Sequence, residues 1–109
     1  MHELGITRNI VSIVADAAGS NPVARVSVKI GEFSAVLPDA LHFCFDSCTR
    51  GTVLENARLE IINVPGRLAC SDCGIEFGSS TPFGRCQCGS RNLRCVAGDE
   101  LLVHEMELQ

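Results

Sequence analysis

The chain has 109 residues, of which 46% are hydrophobic and 20% charged, a composition typical of a small folded domain and not of a disordered chain. Nine Lys and Arg against thirteen Asp and Glu give a formal net charge of −4, which disfavours nucleic acid and anionic membranes as partners. Neither a signal-peptide pattern nor an apolar run long enough to span a bilayer is present, so we expect a cytoplasmic protein.

Hydrophobic spacing predicts an α+β body made of two helices on a mainly antiparallel sheet. The first helix is predicted over residues 3–18, with an apolar stripe formed by Ile6, Ile10, Ile13, Val14 and Ala17. The second is predicted over residues 38–49, where Pro38 suits a first turn. Alternating patterns and turn residues predict strands over 25–30, 57–64, 93–97 and 100–108, the last two joined as a hairpin at residues 98–99.

Four of the seven cysteines lie in a segment without apolar periodicity, residues 70–90. Cys70 and Cys73 form a C-x-x-C pair followed by Gly74, and a second pair, Cys86 and Cys88, follows twelve residues after Cys73. Four thiolates in this arrangement suit tetrahedral Zn²⁺ with no open position, which makes the site structural and not catalytic. We therefore expect a zinc-ribbon-like insert over 70–90, within a body formed by 1–69 and completed by strands in 91–109.

The second cysteine pair is irregular, because its spacing is C-x-C and Arg85 stands where a regular C-x-x-C would begin. Cys86 is consequently the least certain of the four ligands, and a set with only one of Cys86 and Cys88 stays open. The three other cysteines are expected to be structural. Cys44 and Cys48 share the apolar stripe of the second helix, and Cys95 alternates with core residues on a strand.

The amino terminus places an α-amino group, a backbone amide and an imidazole within Met1-His2-Glu3. Late first-row metals such as Ni²⁺ bind such nitrogen sets. A histidine at position 2 is nevertheless an ordinary solvated residue in most proteins, and Glu3 suits the start of a helix through the helix dipole. These three residues alone leave both interpretations open.

Several segments, taken in order along the whole chain, resemble the HypA/HybF family of nickel-insertion accessory proteins. They are M-H-E-L at 1–4, V-K-I-G-E-F-S at 28–34, L-x-F-x-F at 41–45, G-T at 51–52, A-R-L-E-I at 57–61, the cysteine insert with C-G-S at 88–90, and G-D-E-L at 98–101. The family usually has a cysteine where this chain has Arg85, so Cys86 is a shifted substitute.

This resemblance implies a nickel metallochaperone and not an enzyme. It assists nickel insertion into the [NiFe] hydrogenase large-subunit precursor together with a nickel-binding GTPase. Nickel, a transient cargo, is implied at Met1, His2 and Glu3. Structural zinc is implied at the four insert cysteines, which are Cys70, Cys73, Cys86 and Cys88. A homodimer is left open.

Other function classes fit the residues less well. A zinc-ribbon interaction or adaptor module is the main alternative, and a gel-shift assay would test a nucleic-acid partner. A thiol redox protein would need a βαβ setting around C-x-x-C that the surrounding loop residues do not provide. A hydrolase would rest on His42 and Asp46, four apart on the second helix and expected to be solvated, while His104 on the last strand is expected to be structural or exposed.

Overall fold

The computed structural model describes residues 2–109 and confirms the predicted α+β class with both helices. The elements in order are α1 (His2–Ala18), β1 (Val23–Gly31), a short 3₁₀ helix (Glu32–Ser34), α2 (Pro38–Thr49), β2 (Arg58–Val64), β3 (Arg67–Cys70), β4 (Glu76–Gly78), β5 (Leu93–Ala97) and β6 (Leu101–Leu108). The strands form two three-stranded sheets, of order β2-β1-β6 and β4-β3-β5. Within the described range, neither helix has the length and apolarity required to cross a bilayer.

The residues pack as two units. The first contains the residues up to Lys29, Val36–Ile62 and Leu102–Gln109, and the second contains Ile30–Ala35 and Asn63–Leu101. The second unit extends on both sides of the expected 70–90 insert, because β3 before it and β5 after it pair with each other in antiparallel register.

The core of the first unit is largely aliphatic and draws buried residues from both helices and from β1. Val26 and Val28 of β1 are fully buried, Ser27 between them is 2% exposed, and Leu41 of α2 is 1% exposed. The buried face of α1 consists of Thr7, Ile10, Val11, Val14 and Ala18. The predicted stripe was therefore partly wrong, because Ile13 is 58% exposed and the helix is rotated so that Val11 faces the core instead.

Arg25 of β1 connects the three strands of the first sheet. Its guanidinium donates to the carboxylates of Glu60 on β2 at 3.2 Å and of Glu105 and Glu107 on β6 at 3.0 and 3.4 Å. The hydrogen bond to Glu105 is the largest of the effects that raise the pKa of Arg25 above its ordinary value. The central strand is thus joined to both of its neighbours by side-chain contacts as well as by the backbone.

The predicted hairpin between β5 and β6 is wrong, since the two strands belong to different sheets. The backbone between them pairs instead with the last residue of β1 and with the short 3₁₀ helix that follows it. The Gly31 amide donates to the Glu100 carbonyl at 2.7 Å, and the Phe33 amide donates to the Gly98 carbonyl at 2.6 Å. The Gly98 amide donates to the Glu100 carboxylate at 2.7 Å, a local contact within the segment between the two strands.

Candidate metal centres

The first cysteine knuckle is the loop between the paired strands β3 and β4. Cys70 is the last residue of β3, and its amide donates to the Ile75 carbonyl at 2.9 Å. The Gly74 amide donates to the Cys70 carbonyl at 2.9 Å, closing a turn around Cys73. Gly74 has φ +82°, a left-handed conformation that glycine adopts without the steric cost paid by other residues. The C-x-x-C-G sequence therefore folds as its spacing predicts.

The second knuckle closes in the same way with one residue fewer. The Gly89 amide donates to the Cys86 carbonyl at 2.8 Å, and Gly89 has φ +91°. The closing bond spans three residues here and four in the first knuckle, which is the difference between C-x-C and C-x-x-C. The Cys86 amide donates to the Ser90 carbonyl at 2.9 Å and so anchors the turn at its far end.

The two knuckles bring four thiols together. The Sγ atoms of Cys70 and Cys88 are 3.7 Å apart, those of Cys73 and Cys86 are 3.4 Å apart, and all four lie within 4.8 Å of one another. Sulfurs about 2.3 Å from a tetrahedral Zn²⁺ would be about 3.8 Å from each other. The cluster is therefore compatible with a closed structural zinc site, and Cys86, the doubtful member in the sequence, lies inside it.

Burial and electrostatics distinguish the members of the cluster. Cys70 and Cys86 are 2% and 4% exposed, whereas Cys73 and Cys88 are exposed. A hydrogen bond from the Cys73 amide is the main reason that the pKa of Cys70 is lowered to about 6. The Ile75 amide favours the Cys73 thiolate, but the hydrogen bond with Cys86 and burial outweigh it and raise the pKa of Cys73 to about 12. A metal ion would thus displace protons that the sulfurs share.

A polar link between the knuckles was not found by sequence reasoning. The Ser90 hydroxyl donates to the Asp72 carboxylate, and the Asn92 amide donates to the Ser90 Oγ at 3.0 Å. The Ser71 amide donates to the Asn92 carbonyl at 2.9 Å. These contacts fix the orientation of the two cysteine loops, as hydrogen bonds around metal ligands commonly do. In the sequence, the only indication of this link is the serine that follows the second Cys-Gly pair, and the sequence does not indicate that Asp72 is its hydrogen-bond partner.

The other cysteines are separate from this cluster. Among the residues that the structure describes, the four insert cysteines are the one group of three or more candidate ligands with converging atoms. Cys44 and Cys48 are half-buried on α2, consistent with their predicted packing role. The prediction that Cys95 belongs to the core is wrong. Residues 94–96 are all exposed on β5, which is an edge strand of its sheet.

At the amino terminus, His2 begins α1 and lies beside Glu3. His2 Nε2 is 3.0 Å from a Glu3 carboxylate oxygen, with 61% of the His2 side chain and 16% of the Glu3 side chain exposed. The Glu3 carbonyl accepts a hydrogen bond from the Thr7 hydroxyl at 2.6 Å. Met1, the third predicted nickel ligand, lies outside the described residues. His42, Asp46 and His104 are exposed.

Comparison with known proteins identifies the family. A family model described as "Hydrogenase/urease nickel incorporation, metallochaperone, hypA" matches residues 1–108. The chain belongs to the HypA family. The resemblance noted in the sequence is thereby confirmed, and with it the assignment to a family of nickel metallochaperones that act in hydrogenase maturation.

Relatives and solved structures agree with this family. The chain is 51% identical to the hydrogenase maturation factor HypA of Trichormus variabilis, over all of this chain and 96% of that protein. It is 47% identical to the HypA of Geobacter metallireducens over the full length of both. A solution structure of a HypA protein matches with TM-score 0.74 at 26% identity, covering 100% of this chain and 97% of that one. The Ni metallochaperone HypA from Helicobacter pylori shares the fold, with TM-score 0.69 at 23% identity over 97% of this chain and 96% of that one.

Proposed function

We propose that this chain carries nickel at Met1, His2 and Glu3 and delivers it in the cytoplasm to the [NiFe] hydrogenase large-subunit precursor, with a nickel-binding GTPase as its partner. The nickel site belongs to the first unit, and zinc holds the cysteine insert of 70–90 within the second unit. The chain does no catalysis itself. The observation that carries the proposal is the His2–Glu3 pair, 3.0 Å apart at the exposed start of α1.

The position of His2 in α1 favours nickel chelation. The first backbone amides of a helix have no hydrogen-bond partner within the helix, so the His2 amide can lose its proton without breaking the helix. Because Nε2 faces Glu3, Nδ1 is left for the metal, and Nδ1 is the ring nitrogen that closes a six-membered chelate with the residue's own amide. Glu3 would then orient the imidazole through its other nitrogen, as carboxylates do for many metal-bound histidines.

The four cysteines supply a different chemistry. Bound zinc would supply a fixed crosslink between the two cysteine loops, which contain few apolar residues to stabilise them. Cys70, Cys73, Cys86 and Cys88 would hold it. The cluster has no open ligand position for substrate, so its proposed role is to keep the second unit folded.

Metal analysis of untagged protein with its native first residue tests the proposal. We expect one tightly held zinc per chain and one further nickel after nickel addition and desalting. His2→Ala should keep the zinc and lose the nickel. His104→Ala is the matched control, because His104 is also exposed and should leave both metals unchanged.

Two results would contradict the proposal in different ways. Nickel uptake that is equal in His2→Ala and in the unmodified chain would remove the amino-terminal site and favour nickel binding by cysteines. Zinc binding with no nickel uptake by either protein would favour the zinc-ribbon adaptor alternative.

A further inference from the structure

A pocket of about 450 Å³ opens on the second unit beside the second cysteine knuckle. Its walls come from the loop that precedes the knuckle and from the residues that follow it. The lining residues are Pro82, Phe83, Gly84, Arg85, Arg91 and Leu93. None of these six is among the four cysteines, so the pocket is separate from the proposed zinc ligands.

The charge of this pocket is one-sided. Arg85 and Arg91 both line it, and no acidic residue does. Neither guanidinium forms an ion pair or a hydrogen bond with another described residue, whereas Arg67 in the same unit approaches Glu76 at 3.9 Å. Two free guanidinium groups facing one cavity can accept a carboxylate through charge-assisted hydrogen bonds, which are stronger than neutral ones.

The remaining lining is largely apolar and includes an unusually exposed aromatic ring. Phe83 is 90% exposed, more than any other large hydrophobic residue identified as exposed in the structure. Pro82 and the half-buried Leu93 lie beside it in the pocket wall. Exposed aromatic rings with arginines nearby are enriched at protein interfaces, where they act as anchors.

The loop that presents Phe83 is fixed by its own hydrogen bonds. The Ser79 hydroxyl donates to the Thr81 carbonyl at 2.6 Å, and the Phe83 amide donates to the Thr81 hydroxyl at 3.3 Å. The two arginines lie next to a backbone hydrogen bond. The Cys86 amide donates to the Ser90 carbonyl at 2.9 Å, and Arg85 and Arg91 are the adjacent residues in sequence. The backbone positions from which Phe83, Arg85 and Arg91 project are thus fixed, so a ligand has to order only their side chains when it binds.

We propose that this pocket binds a segment of a partner protein in which an acidic side chain stands next to an apolar one. The carboxylate lies between Arg85 and Arg91, and the apolar side chain packs against Phe83 and Leu93. Inorganic phosphate would satisfy the arginines but leave the apolar half of the pocket uncovered. A nucleic acid is disfavoured by the net charge of −4. The proposal does not depend on the nickel site.

The test is a selection of short random peptides displayed on phage against the zinc-loaded full chain. We expect enrichment of Asp or Glu beside Leu, Met or Phe. The most enriched peptide is then labelled and titrated by fluorescence anisotropy. Its affinity should fall at least about tenfold in Phe83→Ala and in the double variant Arg85→Gln with Arg91→Gln, and should weaken as salt is raised.

Matched controls are available elsewhere in the chain. Phe43→Ala removes another exposed ring, 83% exposed on α2, and Arg94→Gln removes an exposed arginine of the same unit that does not line the pocket. Both should bind the peptide as the unmodified chain does, and zinc content with circular dichroism checks that every variant is folded. The proposal is overturned if selected peptides lack acidic residues, if the double arginine variant binds equally well, or if inorganic phosphate displaces the peptide as effectively as the unlabelled peptide does.

Discussion

The four-cysteine cluster and the proposed nickel site at the amino terminus differ in how their candidate ligands are arranged. In the cluster, four sulfur atoms lie within 4.8 Å of one another, and two of the four cysteines are buried. Backbone hydrogen bonds hold the two loops that carry them. The amino terminus offers His2, 61% exposed, with one carboxylate beside it. A closed set of ligands exchanges its metal slowly, whereas an exposed set can be approached by an acceptor and exchanged one ligand at a time. This contrast supports a structural role for zinc in the cluster and transient binding of nickel at the amino terminus.

The largest effect should follow from breaking the closed cluster. Cys73→Ser removes one ligand at an exposed position, so little packing is lost directly. We expect loss of bound zinc and a fall of about 10 °C or more in the melting temperature of the second unit, because a unit of this size has a limited core. Zinc content and thermal unfolding followed by circular dichroism measure this.

The control for that experiment is Cys95→Ser, which changes an exposed cysteine of the same unit outside the cluster. It should keep its zinc and its melting temperature. If Cys73→Ser also retained a full equivalent of zinc, the cluster would not be the closed site described above.

A smaller effect is expected when the open site loses its carboxylate. Glu3→Gln keeps the size of the side chain but removes the charge beside His2 Nε2. Nickel affinity should fall by about tenfold to a hundredfold, the range seen when hydrogen bonds to metal ligands are removed, with zinc unaffected. Competition with a chromophoric chelator measures the affinity.

Asp46→Asn supplies the comparison for Glu3→Gln, since it neutralises an exposed carboxylate on α2 and should not alter nickel binding. An equal loss in both variants would mean that overall charge, and not the His2–Glu3 contact, governs nickel affinity.

Local patterns predicted the parts of the molecule that local interactions determine. The span of α2 matches the prediction at both ends because Pro38 favours the first turn and Leu41 and Phe45 recur at helical spacing. The knuckles were predicted from cysteine and glycine spacing because a C-x-x-C-G turn is closed by hydrogen bonds within five residues.

Long-range pairing could not be predicted in the same way. The strands β3 and β4 are short, and β3 is recognised only through its pairing with β4 and with β5, which lies more than twenty residues later. The hairpin at Gly98 was wrong for this reason. The turn residues are present, but bonds to Gly31 and Phe33 compete with a reversal of the chain. The Arg85–Arg91 pocket likewise depends on a fold that the sequence pattern does not show.

The two knuckles can also be compared directly through their glycines. Gly74 and Gly89 have φ of +82° and +91°, and a Cβ at either position would meet no atom within 4 Å. Gly74→Ala and Gly89→Ala should therefore each lower the free energy of unfolding of the zinc-loaded chain by about 1–2 kcal/mol through backbone strain alone. Chemical denaturation measures this.

Gly5→Ala, also in open space but inside α1, should instead raise stability by about 1 kcal/mol. A much larger loss at Gly89 than at Gly74 would show that the shorter knuckle is the more strained.

The smallest effect concerns Cys95, an exposed cysteine outside both proposed metal sites. Although the residue is exposed, partial desolvation of its sulfur, followed by the nearby carboxylates of Asp99 and Glu100, raises the pKa of the Cys95 thiol above its ordinary value of 9.0. Since the thiolate is the reactive form, Cys95 should react with iodoacetamide more slowly than free cysteine at pH 8, and the difference should vanish as the pH rises through its pKa. Asp99→Asn should increase the rate a few-fold, because it removes one exposed charge.

Mass spectrometry of individual cysteines gives these rates and also shows whether zinc protects the four cluster thiols. If Cys95 reacts as fast as free cysteine at pH 8, its exposure alone determines its chemistry. If the cluster thiols react at a similar rate with zinc present, the distinction between a closed and an open site fails.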